Sequence, residues 1–105
     1  MVKTKEWIEI YAWDKVRGRI RMELEKGKVV DILVQLEVND GGWKPAIRYN
    51  FAHGTPHRDI IKKNGKKEKV WLEGRELDEI LTYAEIDIRS NWKKYLKECG
   101  YIETY

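Results

Sequence analysis

Strict alternation of apolar and polar residues constrains this chain more than any other feature of its sequence. Ile20, Met22 and Leu24 alternate with charged residues between positions 19 and 25, and similar alternation runs through positions 30–38 and 43–51. A period of two places successive side chains on opposite faces of a β-strand. These segments therefore predict three consecutive strands of an antiparallel meander with one buried face.

The turns between these segments predict the register of the strands. Asp40-Gly41 is typical of a primed two-residue turn, and a three-residue loop at positions 26–28 keeps apolar residues opposite one another. The expected pairs are Met22 with Ile32, Leu24 with Val30, Val38 with Trp43, Val34 with Ile47, Ile32 with Tyr49 and Val30 with Phe51. Trp43 is accordingly expected in the core. Asn64-Gly65 predicts another hairpin, which joins positions 58–61 to positions 69–72 and adds a fourth and a fifth strand.

A change of period marks the C-terminal third of the chain. From Arg75 onward, apolar residues recur at steps of three and four, namely Leu77, Leu81, Ala84, Ile88, Trp92 and Tyr95. This period predicts a long amphipathic helix that ends before Gly100. The chain is thus expected to form a single α+β domain over residues 1–105. It consists of a twisted antiparallel β-meander of about five strands with one long C-terminal helix packed on its apolar face.

The segment from Glu6 to Trp13 has no consistently polar face, because one face carries Trp7, Tyr11 and Trp13 beside Glu9, and the other carries Ile8, Ile10 and Ala12. It predicts either a strand covered on both sides or an edge strand at a partner. In the second case oligomerisation through this N-terminal strand is expected.

Composition excludes several classes of protein. With 37% charged and 11% aromatic residues, the chain is neither membrane-embedded nor disordered, so no membrane partner and a cytoplasmic location are expected. Cys99 is the only cysteine, which excludes an internal disulfide and a thiolate cluster. No Gly-rich phosphate loop is present, and no cofactor or resident metal is expected. Scarce Gln and Ser beside abundant Lys and Glu are typical of proteins from very hot organisms.

The face opposite the helix is expected to carry charged rows. The predicted register places Glu23, Asp31 and Asn50 side by side, and two adjacent carboxylates repel unless something compensates them. A neighbouring arginine or lysine would do so, and so would a bound cation.

The most chemically loaded stretch holds both histidines, His53 and His57, which are separated by Gly54-Thr55-Pro56. A turn of this kind could bring the two imidazoles together near Arg48 and Arg58. One histidine would then take a proton from an RNA 2′-hydroxyl and the other would protonate the leaving oxygen, while an arginine balances the phosphorane charge. Alternatively, each histidine only hydrogen-bonds its own loop.

A basic hairpin tip surrounds Asn64-Gly65. Arg21 on the predicted bare face and the lysines of this tip form the expected nucleic-acid-binding set, namely Lys62, Lys63, Lys66, Lys67 and Lys69. Counterion release favours phosphate binding by clustered lysines, although such a tip is also typical of a solvated loop that resists edge pairing. Trp71 is a candidate for base stacking.

The run from Trp43 to Asp59, which contains Arg48-Tyr49-Asn50-Phe51-Ala52-His53-Gly54-Thr55-Pro56-His57-Arg58-Asp59, resembles a family of small uncharacterised prokaryotic proteins of archaeal type, as do positions 81–84 and 87–92. More distantly, it is similar to TumE-type toxins of toxin–antitoxin pairs, small α+β proteins whose partner is a DNA-binding antitoxin. That resemblance implies Arg48, Asn50, His53 and His57 as the matching positions, and a helix-turn-helix antitoxin-like protein as partner.

These observations favour a toxin-like, RNA-directed protein. The preferred hypothesis is a metal-independent endoribonuclease in which His53 and His57 are the acid–base pair and Arg48 and Arg58 bind phosphate. A non-catalytic nucleic-acid-binding module is the first alternative. The second is a partner-binding protein that buries Trp7, Tyr11 and Trp13 against another chain.

Overall fold

The computed structural model describes residues 1–51 and 54–102. Over these residues the chain forms six strands and one helix: β1 (Val2–Ala12), β2 (Val16–Glu25), β3 (Lys28–Asn39), β4 (Trp43–Asn50), β5 (His57–Ile61), β6 (Lys67–Trp71) and α1 (Leu77–Glu98). The strands form one antiparallel sheet in sequential order, and α1 packs on it chiefly against β3. The predicted α+β architecture is confirmed. The strand count of five is wrong, since β1 also pairs along the length of β2.

The register between β2 and β3 was predicted in part. Met22 lies opposite Ile32, as expected, but Leu24 lies opposite Val29 because a bulge follows Glu23. Glu25 pairs with Lys28, so the connecting loop has two residues instead of three. Both of these loop residues adopt positive φ, at 52° for Lys26 and 79° for Gly27, as a primed hairpin turn requires.

The predicted register between β3 and β4 is wrong by two residues. Val34 pairs with Tyr49 and Leu36 with Ile47, because the loop spans residues 40–42 and a bulge interrupts the ladder beyond Leu36. The bulge inserts one residue into β4. Side chains on the N-terminal side of an inserted residue point to the opposite face of the sheet from the one that strict alternation predicts. Trp43 therefore leaves the core and lies under the guanidinium of Arg17, whose Cζ is 3.9 Å from the ring centroid.

The core lies between the helix and one face of the sheet. Fully buried side chains come from three strands, β2, β3 and β4, and from the helix, and they include Ile20, Val34, Leu36, Ile47, Tyr49, Ile88 and Leu96. Burial of each large apolar side chain contributes about 1.5–3 kcal/mol before chain entropy is counted. The helix ends in a Schellman motif, in which the amide of Tyr101 donates to Leu96 O at 2.8 Å and Gly100 has φ 88°.

β1 is an edge strand, one of the two alternatives that its sequence allowed. Trp7 and Tyr11, expected to bury against another chain, pack on the core of their own chain, and the Tyr11 ring stacks on Trp92 at 6.2 Å. Trp13 is 83% exposed. Oligomerisation through this strand stays a prediction.

The part of the chain that the structure describes contains no helix long and apolar enough to cross a membrane.

Candidate functional site

Two rows of residues cross the sheet on the side that α1 leaves open, here called the bare face. Cross-strand pairing gives the first row as Ile8, Arg19, Gln35, Arg48, Asp59 and Lys69. The second row is Glu6, Arg21, Leu33, Asn50, His57 and Trp71. The bare face is therefore polar along most of its width.

Glu37 is the centre of a hydrogen-bonded network on the bare face. Arg17 Nε donates to its Oε1 at 2.6 Å, and Gln35 Nε2 and Arg19 Nε donate to its Oε2 at 2.6 and 3.2 Å. Burial raises the pKa of this carboxyl, but the hydrogen bonds from Arg17 and Gln35 and the two arginine charges outweigh burial and lower it. Arg48 Nε in turn donates to Gln35 Oε1 at 2.8 Å. The network thus sets three arginines against one carboxylate, and with Glu6, which pairs with Arg19 at 2.9 Å, it keeps one net positive charge.

The adjacent carboxylates that the sequence predicted are present, since Glu23 lies opposite Asp31. Arg21 forms an ion pair with Glu23. Of the two alternatives that the sequence left open, a basic side chain or a bound cation, an arginine therefore offsets the repulsion between the carboxylates. Within residues 1–51 and 54–102, no group of three or more His, Cys, Asp and Glu side chains could hold a metal ion.

His57 begins β5 and its residue is only 2% exposed. Its Nδ1 lies 3.1 Å from the carbonyl oxygen of Thr55, and since a carbonyl only accepts, Nδ1 is the protonated donor. Nε2 lies 3.6 Å from Asp59 Oδ2, and the Trp71 ring packs on the imidazole with centroids 5.3 Å apart. This is the loop-bonded arrangement that was the alternative to catalysis. His53 lies outside the described residues.

The two arginines of the predicted site lie on opposite faces of the sheet. Arg48 is on the bare face with His57, whereas Arg58, next to His57 in sequence, points to the helix side with its cross-strand partner Tyr49. Alternation along β5 requires this separation. The structure therefore does not bring Arg58 together with His57 and Arg48.

Arg58 belongs instead to a buried polar cluster between sheet and helix, which we call the Asp87 cluster. Asp87 Oδ2 accepts hydrogen bonds from the hydroxyls of Tyr49 and Tyr95 at 2.5 and 2.6 Å. Arg58 Nη1 lies 3.4 and 3.2 Å from these two hydroxyls and 3.8 Å from the carboxylate. Burial and the bonds to Asp87 raise the pKa of both tyrosines. Sequence reasoning missed this cluster, although Asp87 interrupts the apolar stripe of the helix next to Ile88.

The lysine-rich tip is only partly free of ion pairs. Lys62 lies 3.6 Å from Glu68 and Lys63 lies 3.7 Å from Asp40. Lys66, Lys67 and Lys69 make no ion pair with any residue that the structure describes. The remaining member of the predicted set, Arg21, is four strands from β6, about 19 Å at roughly 4.8 Å a strand, and is bonded to Glu23.

Trp71 lies beside the unpaired lysines. Its side chain shares the bare side of β6 with Lys67 and Lys69, because these positions alternate along the strand. The residue is 51% exposed, and Lys69 Nζ lies 5.1 Å from its ring centroid. The candidate site thus lies at the β6 edge of the sheet, with His57 beside the indole.

The chain matches no curated protein and no solved structure. A family model described as "Domain of unknown function (DUF7718)" matches residues 2–100. This match fits the expected membership of an uncharacterised family, while the likeness to TumE-type toxins stays a prediction. Because the match spans nearly the whole chain, the protein belongs to the DUF7718 family.

Proposed function

We propose that the protein is a nucleic-acid-binding module that holds a single strand, expected to be RNA, against the bare side of β6. The observation that carries the proposal is the half-exposed ring of Trp71 beside Lys67 and Lys69, two cations without a carboxylate partner in the described part of the chain. Aromatic stacking contributes about 1–3 kcal/mol per base and tolerates any sequence, while lysines follow the phosphates.

Charge distribution supports this location over the rest of the bare face. The arginines of β2 and β4 are bonded to Glu37, Glu23 or Gln35, so few of their donors remain for phosphate. Lys66, Lys67 and Lys69 have no such partners among residues 1–51 and 54–102. Arg48 bonds only the neutral Gln35 and keeps its charge, and the three lysines add a cluster of positive charge at the β6 edge that is available to a polyanion.

Packing beside Trp71 supports a rigid platform. The imidazole of His57 packs beside the indole across the strand pair, with ring planes tilted by 57°, and its Nδ1 is fixed by the Thr55 carbonyl oxygen. A ring held in this way loses little side-chain entropy when a base stacks on it. This geometry gives His57 a positioning role for Trp71.

RNA cleavage by His53 and His57 stays a prediction. A general base needs an unprotonated ring nitrogen within reach of the 2′-hydroxyl. With Nδ1 of His57 donating to Thr55, that nitrogen is Nε2, which lies 3.6 Å from Asp59 Oδ2 in a residue that is only 2% exposed. An antitoxin-like helix-turn-helix partner likewise rests on the resemblance alone.

The binding proposal is tested by fluorescence anisotropy with labelled oligouridylate and oligothymidylate. Trp71→Ala should weaken binding about fivefold or more, the value of one stacked base. Trp13→Ala is the matched control, since it removes an indole that is even more exposed. Equal loss in both variants would contradict a site at Trp71.

The lysines are tested through the salt dependence. Changing Lys66, Lys67 and Lys69 together to Gln should reduce the slope of log affinity against log salt by about 2, since each single-strand phosphate contact contributes roughly 0.7. The matched control changes Lys93, Lys94 and Lys97 of α1 to Gln, which removes the same charge elsewhere. If both triple variants lower the slope equally, binding reports net charge only and the proposal fails.

A further inference from the structure

A groove of about 330 Å³ opens on the helix side of the sheet, on the opposite side of β6 from Trp71. Its apolar walls are Val70 and Leu72 from β6 and the segment after it, and Ile80 and Tyr83 from α1. Two guanidinium groups, those of Arg58 and Arg75, also line it, and Glu79 contributes a carboxylate. Pockets of roughly 300 Å³ and above, with apolar walls and a few polar groups, are typical of small-molecule sites.

We propose that this groove binds a small organic anion, a compact apolar body that carries a carboxylate or phosphate monoester. The apolar body would lie between Val70 and Tyr83, and the anionic oxygens would accept hydrogen bonds from the guanidinium groups. This site is separate from the nucleic-acid surface, because it lies on the opposite side of the sheet.

Arg58 is held in place before any ligand arrives. Its Nη1 is directed to the Tyr49 and Tyr95 hydroxyls of the Asp87 cluster. Its Nε is buried and has no acceptor among residues 1–51 and 54–102. The side chain as a whole is 21% exposed, so an anionic oxygen that reaches this guanidinium from the groove meets a charge whose orientation is already fixed.

Arg75 is the exposed counterpart of Arg58. It lies before α1 and makes no ion pair or side-chain hydrogen bond with the described residues, even though Glu79 lines the same groove. Asp87 balances part of the Arg58 charge at 3.8 Å, and the exposed Glu79 adds a second negative charge to the lining. The attraction for an anion therefore rests on the guanidinium donors and not on a net positive charge, which favours a ligand with a single anionic group and a neutral body.

The test uses the fluorescent dye 8-anilinonaphthalene-1-sulfonate, which has an apolar body and one anionic group. N-phenyl-1-naphthylamine has the same body without the charge. The sulfonate dye should bind with one site per chain, and Arg75→Gln should weaken it about tenfold, the value of one charge-assisted hydrogen bond. Lys97→Gln, an equal charge change at the far end of α1, should leave its affinity unchanged, and the neutral dye should not distinguish the two variants.

Two further measurements decide the site and the ligand class. Tyr83→Ala removes an exposed part of the apolar wall, so both dyes should bind more weakly to it. Displacement of the sulfonate dye by benzoate or by phenyl phosphate would support the proposal and identify the preferred anionic group. The proposal is overturned if Arg75→Gln or Tyr83→Ala leaves the affinity of the sulfonate dye unchanged, or if neither competitor displaces it.

Discussion

Replacement of Asp87 by Ala should destabilise the fold by about 3–5 kcal/mol, the cost of breaking a buried charge pair by removing one partner. Asp87 is 8% exposed and accepts from Tyr49 and Tyr95, which are themselves buried. Hydrogen bonds to a charged acceptor contribute about 1.5–3 kcal/mol each, so two such bonds give about 3–6 kcal/mol. The two estimates agree, although only the first counts the loss of the carboxylate that faces Arg58 at 3.8 Å.

The assay is chemical denaturation followed by circular dichroism, with Asp78→Ala as the control. Asp78 is an exposed carboxylate in the first turn of the same helix, and its loss should cost at most about 1 kcal/mol. Asp87→Asn retains one acceptor oxygen and should fall between the two. A loss below about 1 kcal/mol for Asp87→Ala would refute the reasoning, because the cluster would then contribute no more than a surface carboxylate.

Two other predictions concern the sheet. Glu37→Gln should cost about 1–3 kcal/mol at pH 7. Because the folded state lowers the pKa of Glu37, its contribution is present above the unfolded pKa of about 4.3 and is lost as the pH falls through the lower folded value. The denaturation midpoints of wild type and Glu37→Gln should therefore approach each other below about pH 4. A difference between these midpoints that stays constant down to pH 3 would contradict the prediction. Gly18→Ala would place Cβ 2.6 Å from Tyr11 Oη and should cost about 1–3 kcal/mol. In a Tyr11→Ala background the same change should cost almost nothing in thermal unfolding.

Hydrophobic periodicity alone predicted most of the architecture, because periods of two and of 3.6 residues are each sustained over many consecutive positions. It could not fix the register of β4. A slip of two residues returns every side chain to its own face, so pairing Val34 with Ile47 satisfies the pattern as well as the observed pair with Tyr49. The bulge next to Pro45 is a local event, and its only sequence signal is a residue without an amide proton.

Arg58 lies apart from His57 and Arg48 of the predicted site for a reason that the sequence already contained. Arg58 has the same parity along its strand as Ile60, which faces the helix, and the opposite parity to His57. A site assembled from neighbouring residues in a strand therefore divides between two faces. The groove has no contiguous motif at all, because Arg58, Val70 and Ile80 reach it from three different elements.

β6 separates the two proposed sites. Trp71 and Lys69 face the bare side, whereas Val70 between them faces the groove. Its neighbour β5 divides in the same way, with His57 beside Trp71 and Arg58 at the groove. Successive side chains of one hairpin thus supply a cationic stacking surface on one face and an anion-binding wall on the other. A substitution on either face leaves the contacts of the other intact, so Trp71→Ala and Arg75→Gln test the two proposals independently. If either variant abolished both oligonucleotide binding and dye binding, the substitution would have disturbed both faces of the sheet. Such a result would contradict the assignment of each binding site to a separate face.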